Sequence, residues 1–207
     1  MSFIPDDDNV IPITDEEYLE DDIVTRLCSL LKKLFPDTSL EKNLDFLASG
    51  LNNKGNSTRE KIRNYYLNDF YGDHCKKYSK RPIYWLFDSG KSNGFKALVY
   101  LFRHDENTIG NLRVDYLHRL ERIYESEISR MDDLISHSTS NREVSVAARR
   151  KEKLQKQIKE CKEYDEKISH LALSRRTLDF NDGILTNYES IQTSMDNRKY
   201  NVLAKIK

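Results

Sequence analysis

Apolar positions recur at helical spacing along most of the chain. Leu19, Ile23, Leu27, Leu30 and Leu34 form one stripe, preceded by Thr14-Asp15-Glu16-Glu17 and closed by Pro36. Thr14 with Glu17 three residues later is a capping-box signature, so a helix is predicted from Thr14 to the proline. Thr38-Ser39-Leu40-Glu41 reads as a second box before Leu40, Leu44, Leu47 and Leu51, and Ser57-Thr58-Arg59-Glu60 as a third. The third opens a helix through Ile62, Tyr65, Tyr66 and Phe70 as far as Tyr78. Gly72 lies in its middle, at a cost of about 1 kcal/mol relative to alanine.

The pattern then changes. Arg81 to Leu101 holds the single Trp of the chain and its densest aromatic and apolar run. Two short apolar segments flank Ser89-Gly90-Lys91-Ser92-Asn93-Gly94, the signature of a β-hairpin, with Phe95, Ala97, Val99 and Leu101 on one face.

From Thr108 the helical period returns at greater length. Ile109, Leu112, Tyr116, Leu120, Ile123, Met131 and Leu134 make one arm, and His137 to Asn141 a break. Val144, Ala147, Leu154, Ile158, Cys161, Ile168 and Ala172 make a second arm with a period close to 3.5 residues. Arms of ~30 residues span ~45 Å. Lys151 and Asp165 fall on the seam, where polar residues fix register at a cost in stability. Asn181-Asp182-Gly183 signals a turn, and Ile184 to Tyr188 a short strand. The tail is weakly patterned apart from Val202, Leu203 and Ile206.

The predicted fold is therefore mainly α: short helices around a small β-hairpin, followed by a long antiparallel helical hairpin. Its parts are an extended acidic lead-in over 1–13, a helical domain over 14–104 with the hairpin at 82–102, the helical hairpin over 105–175, and a turn, strand and tail over 176–207.

Composition sharpens this picture. Charged residues make up 33% of 207 and the apolar set 38%, which favours surface-rich helices over one thick globule. Basic and acidic residues number 34 each, but they are not evenly placed. No base precedes Arg26, whereas Arg59 to Arg103 is basic. Cys28, Cys75 and Cys161 are scattered without a CxxC, which argues against a disulfide framework or a zinc site and for a reducing cytoplasm. The start MSFIPDDD lacks the basic and apolar regions of a signal peptide, and no apolar run approaches the ~20 residues of a membrane span.

The strongest functional signal is the basic stretch. Arg59, Lys61, Arg63, Lys76, Lys77, Lys80, Arg81, Lys91 and Lys96 interleave with Tyr65, Tyr66, Tyr71, Tyr78 and Tyr84. Cations neutralise phosphates and tyrosines bond or stack on nucleic acid, so these nine are the candidate DNA-binding residues. The competing account is a solvated helix face with core tyrosines. Ser89 to Gly94 resembles a phosphate loop but lacks the leading glycine, whose place is taken by Trp85, and a strand follows it. A hairpin turn is the expected account. His74 and Cys75 are adjacent, unsuited to act as base and nucleophile, and the five histidines show no ligand spacing. Asp6-Asp7-Asp8 lacks the glycine and glutamate of a calcium loop and reads as a disordered or partner-facing arm. No catalytic residue and no metal or cofactor site is predicted.

Four blocks carry a resemblance to a known family: FIPDDDNVIPITDEEYLEDDIVTRL, STREKIRNYYLNDFYGDHCKKYSKRPIYWLFDSGKSNGFKALVYL, ENTIGNLRVDYLHRLERIYESEI and YDEKISHLALSRRTLDFNDGILTNYESIQ. With the tail VLAKIK they resemble the C-terminal region of PglX-type adenine-specific DNA methyltransferases of BREX phage-defence systems. The family implies a larger enzyme that moves a methyl group from S-adenosylmethionine to adenine in DNA. Its glycine-rich cofactor motif and its Asn-Pro-Pro-Tyr are absent here, so no catalytic residue carries over and the chain alone is expected to be inactive. The resemblance implies an excised, split or truncated part of such an enzyme. Its expected role is engaging double-stranded DNA and scaffolding within a phage-defence or restriction-modification system. The alternative is a protein–protein module that docks on the methyltransferase domain or other defence-system subunits without touching DNA.

Overall fold

A computed structural model describes residues 8–52 and 54–206. The acidic lead-in before Asp8 lies outside them. The chain divides into two compact units: unit 1 is Met1–Leu86, Lys96–Arg103 and Ala204–Lys207, and unit 2 is Phe87–Phe95 and His104–Leu203. Helices dominate, as the sequence pattern predicts.

Unit 1 sets α1 (Ile23–Leu34), α2 (Leu40–Ser49), α3 (Thr58–Asn68) and α4 (Phe70–Lys77) around a three-stranded sheet. The strands are β1 (Val10–Pro12), β2 (Tyr84–Asp88) and β3 (Lys96–Tyr100), in the order β1-β3-β2. β1 was read only as extended chain. It pairs antiparallel with β3, Val10 opposite Val99 and Pro12 opposite Ala97. β3 is buried on both faces from Lys96 to Val99, so its side chains do not alternate between core and solvent as a one-sided hairpin would. Leu44, Ile62, Cys75, Leu86 and Leu98 join Ile13 and Ile23 in the core beneath it.

Both sheet edges are closed, which suppresses pairing with other chains. On β1, Pro12 has no N–H, the Val10 N–H donates to Asp8 Oδ1 (3.0 Å) and the Val10 carbonyl accepts from Arg26 Nη2 (3.1 Å). On β2, the Ala204 N–H donates to the Leu86 carbonyl (2.8 Å). The apolar residues of the tail are thus explained: they run alongside the strand.

The capping boxes fared differently. Ser57 caps α3, accepting from Glu60 N (3.2 Å), as predicted. α2 begins one residue later than its box, with Ser39 as the cap accepting from Lys42 N. Ser39→Ala is therefore expected to cost about 1 kcal/mol and Thr38→Ala almost nothing, read from urea unfolding midpoints. The first box opens no helix. Thr14 is buried with its hydroxyl donating to Asp22 Oδ2 (2.9 Å), and Asp22 caps α1 by accepting from Val24 N (3.0 Å). The α3–α4 run breaks at Asp69 rather than at Gly72.

In unit 2, α5 (Thr108–Asn111) passes through a π-helical segment (Leu112–Leu117) into α6 (His118–His137). Ser138 to Ser140 then turn the chain into the 34-residue α7 (Asn141–Ser174), with Ser140 as its cap. The buried seam of α7 is Ala147, Leu154, Gln157, Cys161, Tyr164, Ile168 and Leu171: the heptad spacing is as expected, but Gln157, Tyr164 and Leu171 take the places predicted for Ile158 and Ala172, which are half-buried beside it. Cross-helix pairs run in opposite senses, Arg113 to Asp165 and Glu127 to Arg150, so the arms are antiparallel. The two polar residues predicted on the seam, Lys151 and Asp165, lie half-buried beside it and are both paired. Lys151 meets Asp132, and Asp165 accepts from Arg113 (2.6 and 2.9 Å) and pairs with His118 (2.9 Å). Burial raises the Asp165 pKa, but these partners outweigh it and hold the group below its ordinary value.

Ile184 to Tyr188, read as a strand, belongs to α8 (Ile184–Ser190). Gly183, at φ 81°, redirects the chain into it, and the Asn187 amide donates to the Asp179 and Gly183 carbonyls. These bonds tie the helix to the turn before it through a side chain inside the helix, which local β-branched residues in the sequence do not announce. Among the described residues, no helix is long and apolar enough to cross a membrane.

Candidate nucleic-acid interface

The nine basic residues fall into distinct environments. Arg63 is buried and its Nη1 donates to Asp22 Oδ2 (2.7 Å) and to the Thr14 carbonyl (2.9 Å). Lys96 is also buried, on the central strand. Neither presents its charge to a duplex. Arg59 lies on the surface in a two-pronged pair with Glu41 (2.7 and 2.9 Å), which raises its pKa. Lys61 is half-buried, and Lys91 is exposed at the tip of the β2–β3 turn.

The remaining four form one surface. α4 ends at Tyr78, and its last turn carries Lys76 and Lys77, favourably placed at the negative end of the helix dipole. Ser79 and Lys80 follow with φ of 50° and 62°, and Pro82 prevents any return to helix. The Ser79, Lys80 and Arg81 N–H groups bond back to the Lys76, Cys75 and Tyr78 carbonyls at 2.8–3.0 Å. The turn is thus internally satisfied while Lys76, Lys77, Lys80 and Arg81 project into solvent. Lys76 has a long pairing with Asp73 (3.6 Å), and Lys77, Lys80 and Arg81 make no ion pair with any described residue.

Aromatic rings support this turn from below. His74 packs against Phe70 (5.7 Å), Tyr78 (4.7 Å) and Tyr84 (5.8 Å). Its Nε2 accepts the Tyr84 N–H (3.2 Å), and burial pushes its pKa down. A neutral ring committed to the backbone, beside the buried Cys75, acts as a packing element. Tyr71 is likewise core, whereas Tyr78 stays 40% exposed amid the lysines.

The Ser89 to Gly94 turn is occupied by the protein's own carboxylate. Glu160 of α7 accepts from the Ser89 hydroxyl (2.6 Å), Ser92 N (2.8 Å) and Gly94 N (3.0 Å). The Ser89 oxygen in turn accepts from Phe95 N (2.8 Å), and Gln157 donates to the Asn93 carbonyl (3.2 Å). Gly90 sits at φ 144°, and a Cβ on Gly94 would lie 2.6 Å from the Gln157 carbonyl oxygen. The glycines therefore allow the turn to lie against α7. Burial raises the Glu160 pKa, but the bonds from Ser89, Gly94 and Ser92 prevail and lower it. The loop, expected only as a hairpin turn, cradles an anion, and that anion is a glutamate 66 residues away from Gly94. Among the described residues, no group of three or more His, Cys, Asp or Glu is placed to hold a metal ion.

No protein-family model matches the chain. Over 194 residues it is 38% identical to the adenine-specific methyltransferase PglX of Lacticaseibacillus casei (strain Zhang), covering 92% of this chain and 16% of that protein. The chain is homologous to a C-terminal region of PglX-type methyltransferases. The adenine-specific methyltransferase BrxX of Escherichia coli O9:H4 (strain HS) is 36% identical over 193 residues, again covering 90% of this chain and 16% of that protein. The chain thus spans about a sixth of the length of the relatives it matches.

Two residues that hold local structure together, Asp22 and Glu160, are not singled out by the sequence pattern. Asp22, directly before the apolar run at Ile23, carried an N-cap signal that Thr14 obscured. Glu160 carried none, because its role depends on a loop distant in sequence.

Proposed function

We propose that this chain is a non-catalytic, DNA-engaging part of an S-adenosylmethionine-dependent, adenine-specific DNA methyltransferase, working in the cytoplasm within a phage-defence system of the BREX type. The observation that carries the reading is the internally hydrogen-bonded turn that projects Lys76, Lys77, Lys80 and Arg81 around the half-exposed Tyr78. Charge held on a fixed scaffold suits phosphate contacts that position an enzyme on a duplex without reading sequence. The homology to PglX and BrxX supports the reading, since those proteins are named adenine-specific methyltransferases.

The test is duplex binding by fluorescence anisotropy across a range of salt. A variant with all four residues changed to glutamine is expected to bind weakly. Each phosphate contact contributes a salt slope of about 0.9, so the slope should flatten by roughly 2–4. Equal slopes for the two proteins would remove this surface from the interface.

A second reading rests on exposed apolar residues at the end of α1 and on α2. Leu34, Phe35 and Phe46 are 58%, 50% and 78% exposed. They suit docking on the methyltransferase domain or another defence-system protein, with binding that responds little to salt.

A further inference from the structure

The turn that ends α4 is a Schellman motif. The Lys80 N–H donates to the Cys75 carbonyl (2.8 Å) and the Ser79 N–H to the Lys76 carbonyl (3.0 Å), the two bonds that define it. Glycine usually takes the first position past such a helix end, and an apolar residue at the next frequently packs back on the last turn. Here the two positions hold Ser79 and Lys80, both left-handed at φ 50° and 62°. That conformation is costly for any residue with a Cβ. The turn thus forgoes local stability and carries an exposed lysine where the motif favours an apolar side chain. The helix dipole accounts for Lys76 and Lys77, but its influence falls off within the last turn and does not extend to Lys80 and Arg81.

Tyr78 stands between these cations as the C-cap of α4. Its ring packs on His74 at 4.7 Å and 50°, and the His74 ring is itself held by the Tyr84 N–H. The Tyr78 ring is therefore braced from within and still 40% exposed. Phosphate contact alone makes no use of the face of a ring. In a paired duplex each base is covered by its neighbours, so a ring on a surface turn reaches only the backbone. An unpaired nucleotide offers a bare aromatic face beside its own phosphate.

We propose that this turn binds an unpaired nucleotide of DNA, its base stacked on Tyr78 and the adjacent phosphates held by Lys77, Lys80 and Arg81. The proposal rests on the DNA-engaging reading above and names the form of DNA that the surface favours, a duplex flanked by single strand. Every base has a face to stack, so the preference is for structure and not for sequence.

The test compares three DNAs that share one duplex: blunt-ended, with a single-stranded overhang, and with the same overhang made of abasic nucleotides, which keep the phosphates and lack the bases. At fixed salt the full chain is expected to bind the base-bearing overhang about 10-fold more tightly than the abasic one, the effect of one base stacked on an aromatic ring. Tyr78→Leu should remove that difference, and Tyr78→Phe, which keeps the ring, should restore it. The fluorescence of the buried Trp85 in unit 1 checks that each variant is folded. Should Tyr78→Leu unfold, the comparison is made on a Ser79→Gly background, which relieves the left-handed position. A difference that survives in Tyr78→Leu, or that is lost in Tyr78→Phe, overturns the stacking on this ring. If the wild type binds all three DNAs equally, with the expected salt dependence, the proposal falls and the DNA-engaging reading stands. If no DNA binds even at low salt, both fall.

Discussion

Asp22→Ala is expected to destabilise unit 1 by about 3–5 kcal/mol, the usual cost of stranding one member of a buried ion pair. Asp22 is fully buried and Arg63 nearly so, with 2.7 Å between Oδ2 and Nη1. The carboxylate also accepts from the Thr14 N–H (3.3 Å), the Thr14 hydroxyl (2.9 Å) and Val24 N (3.0 Å). The guanidinium in turn donates to the Thr14 and Glu16 carbonyls. This one network ties the chain after β1 to α1 and α3. Removing Asp22 leaves a buried cation, an uncapped helix and a buried hydroxyl with one acceptor fewer.

The single Trp85 is fully buried within unit 1, so its fluorescence during urea unfolding reports the loss there. Combining Asp22→Leu with Arg63→Met should restore a large part of the stability, because two apolar side chains satisfy each other where one lone charge does not. A single variant that loses less than about 1 kcal/mol would mean that water reaches the guanidinium.

The same network shows how far sequence reaches. Helical stripes, the break at His137 to Asn141 and the heptad seam follow from local periodicity, and the fold class followed with them. Thr14 was misread because a capping box specifies only a local preference. Here a buried arginine 49 residues away competes for the same segment. β1 was missed as a strand because its short Val-Ile-Pro run gains its partner only from β3. Among the basic residues, sequence grouped Lys76, Lys77, Lys80 and Arg81 with five others, without picking out the exposed turn that carries them. It could not distinguish Arg63 and Lys96, whose burial depends on which face of α3 and which strand the fold encloses.

Glu160→Ala should lower the stability of unit 2 by about 2 kcal/mol at neutral pH, allowing for the solvent that reaches this half-buried carboxylate. It removes the acceptor for the Ser89 hydroxyl and for the Ser92 and Gly94 N–H groups at once. Gly94 is buried, so its N–H has little access to water as a substitute. Glu160→Gln should fall between the two proteins, because its amide nitrogen is itself a donor and would face donors. The effect should depend on pH in a definite direction. The folded-state pKa of Glu160 is lowered, so its contribution is fully present above the ordinary glutamate pKa and is lost as pH falls through the folded value. Asp165 is lowered as well and makes the wild type acid-sensitive by the same sign. The informative quantity is therefore the difference between wild type and Glu160→Ala, measured by urea unfolding followed by circular dichroism at neutral and acid pH. That difference should shrink toward zero in acid. A constant difference would show that the side chain acts through packing alone, and the loop's hydrogen bonds to the carboxylate would then contribute nothing to its position.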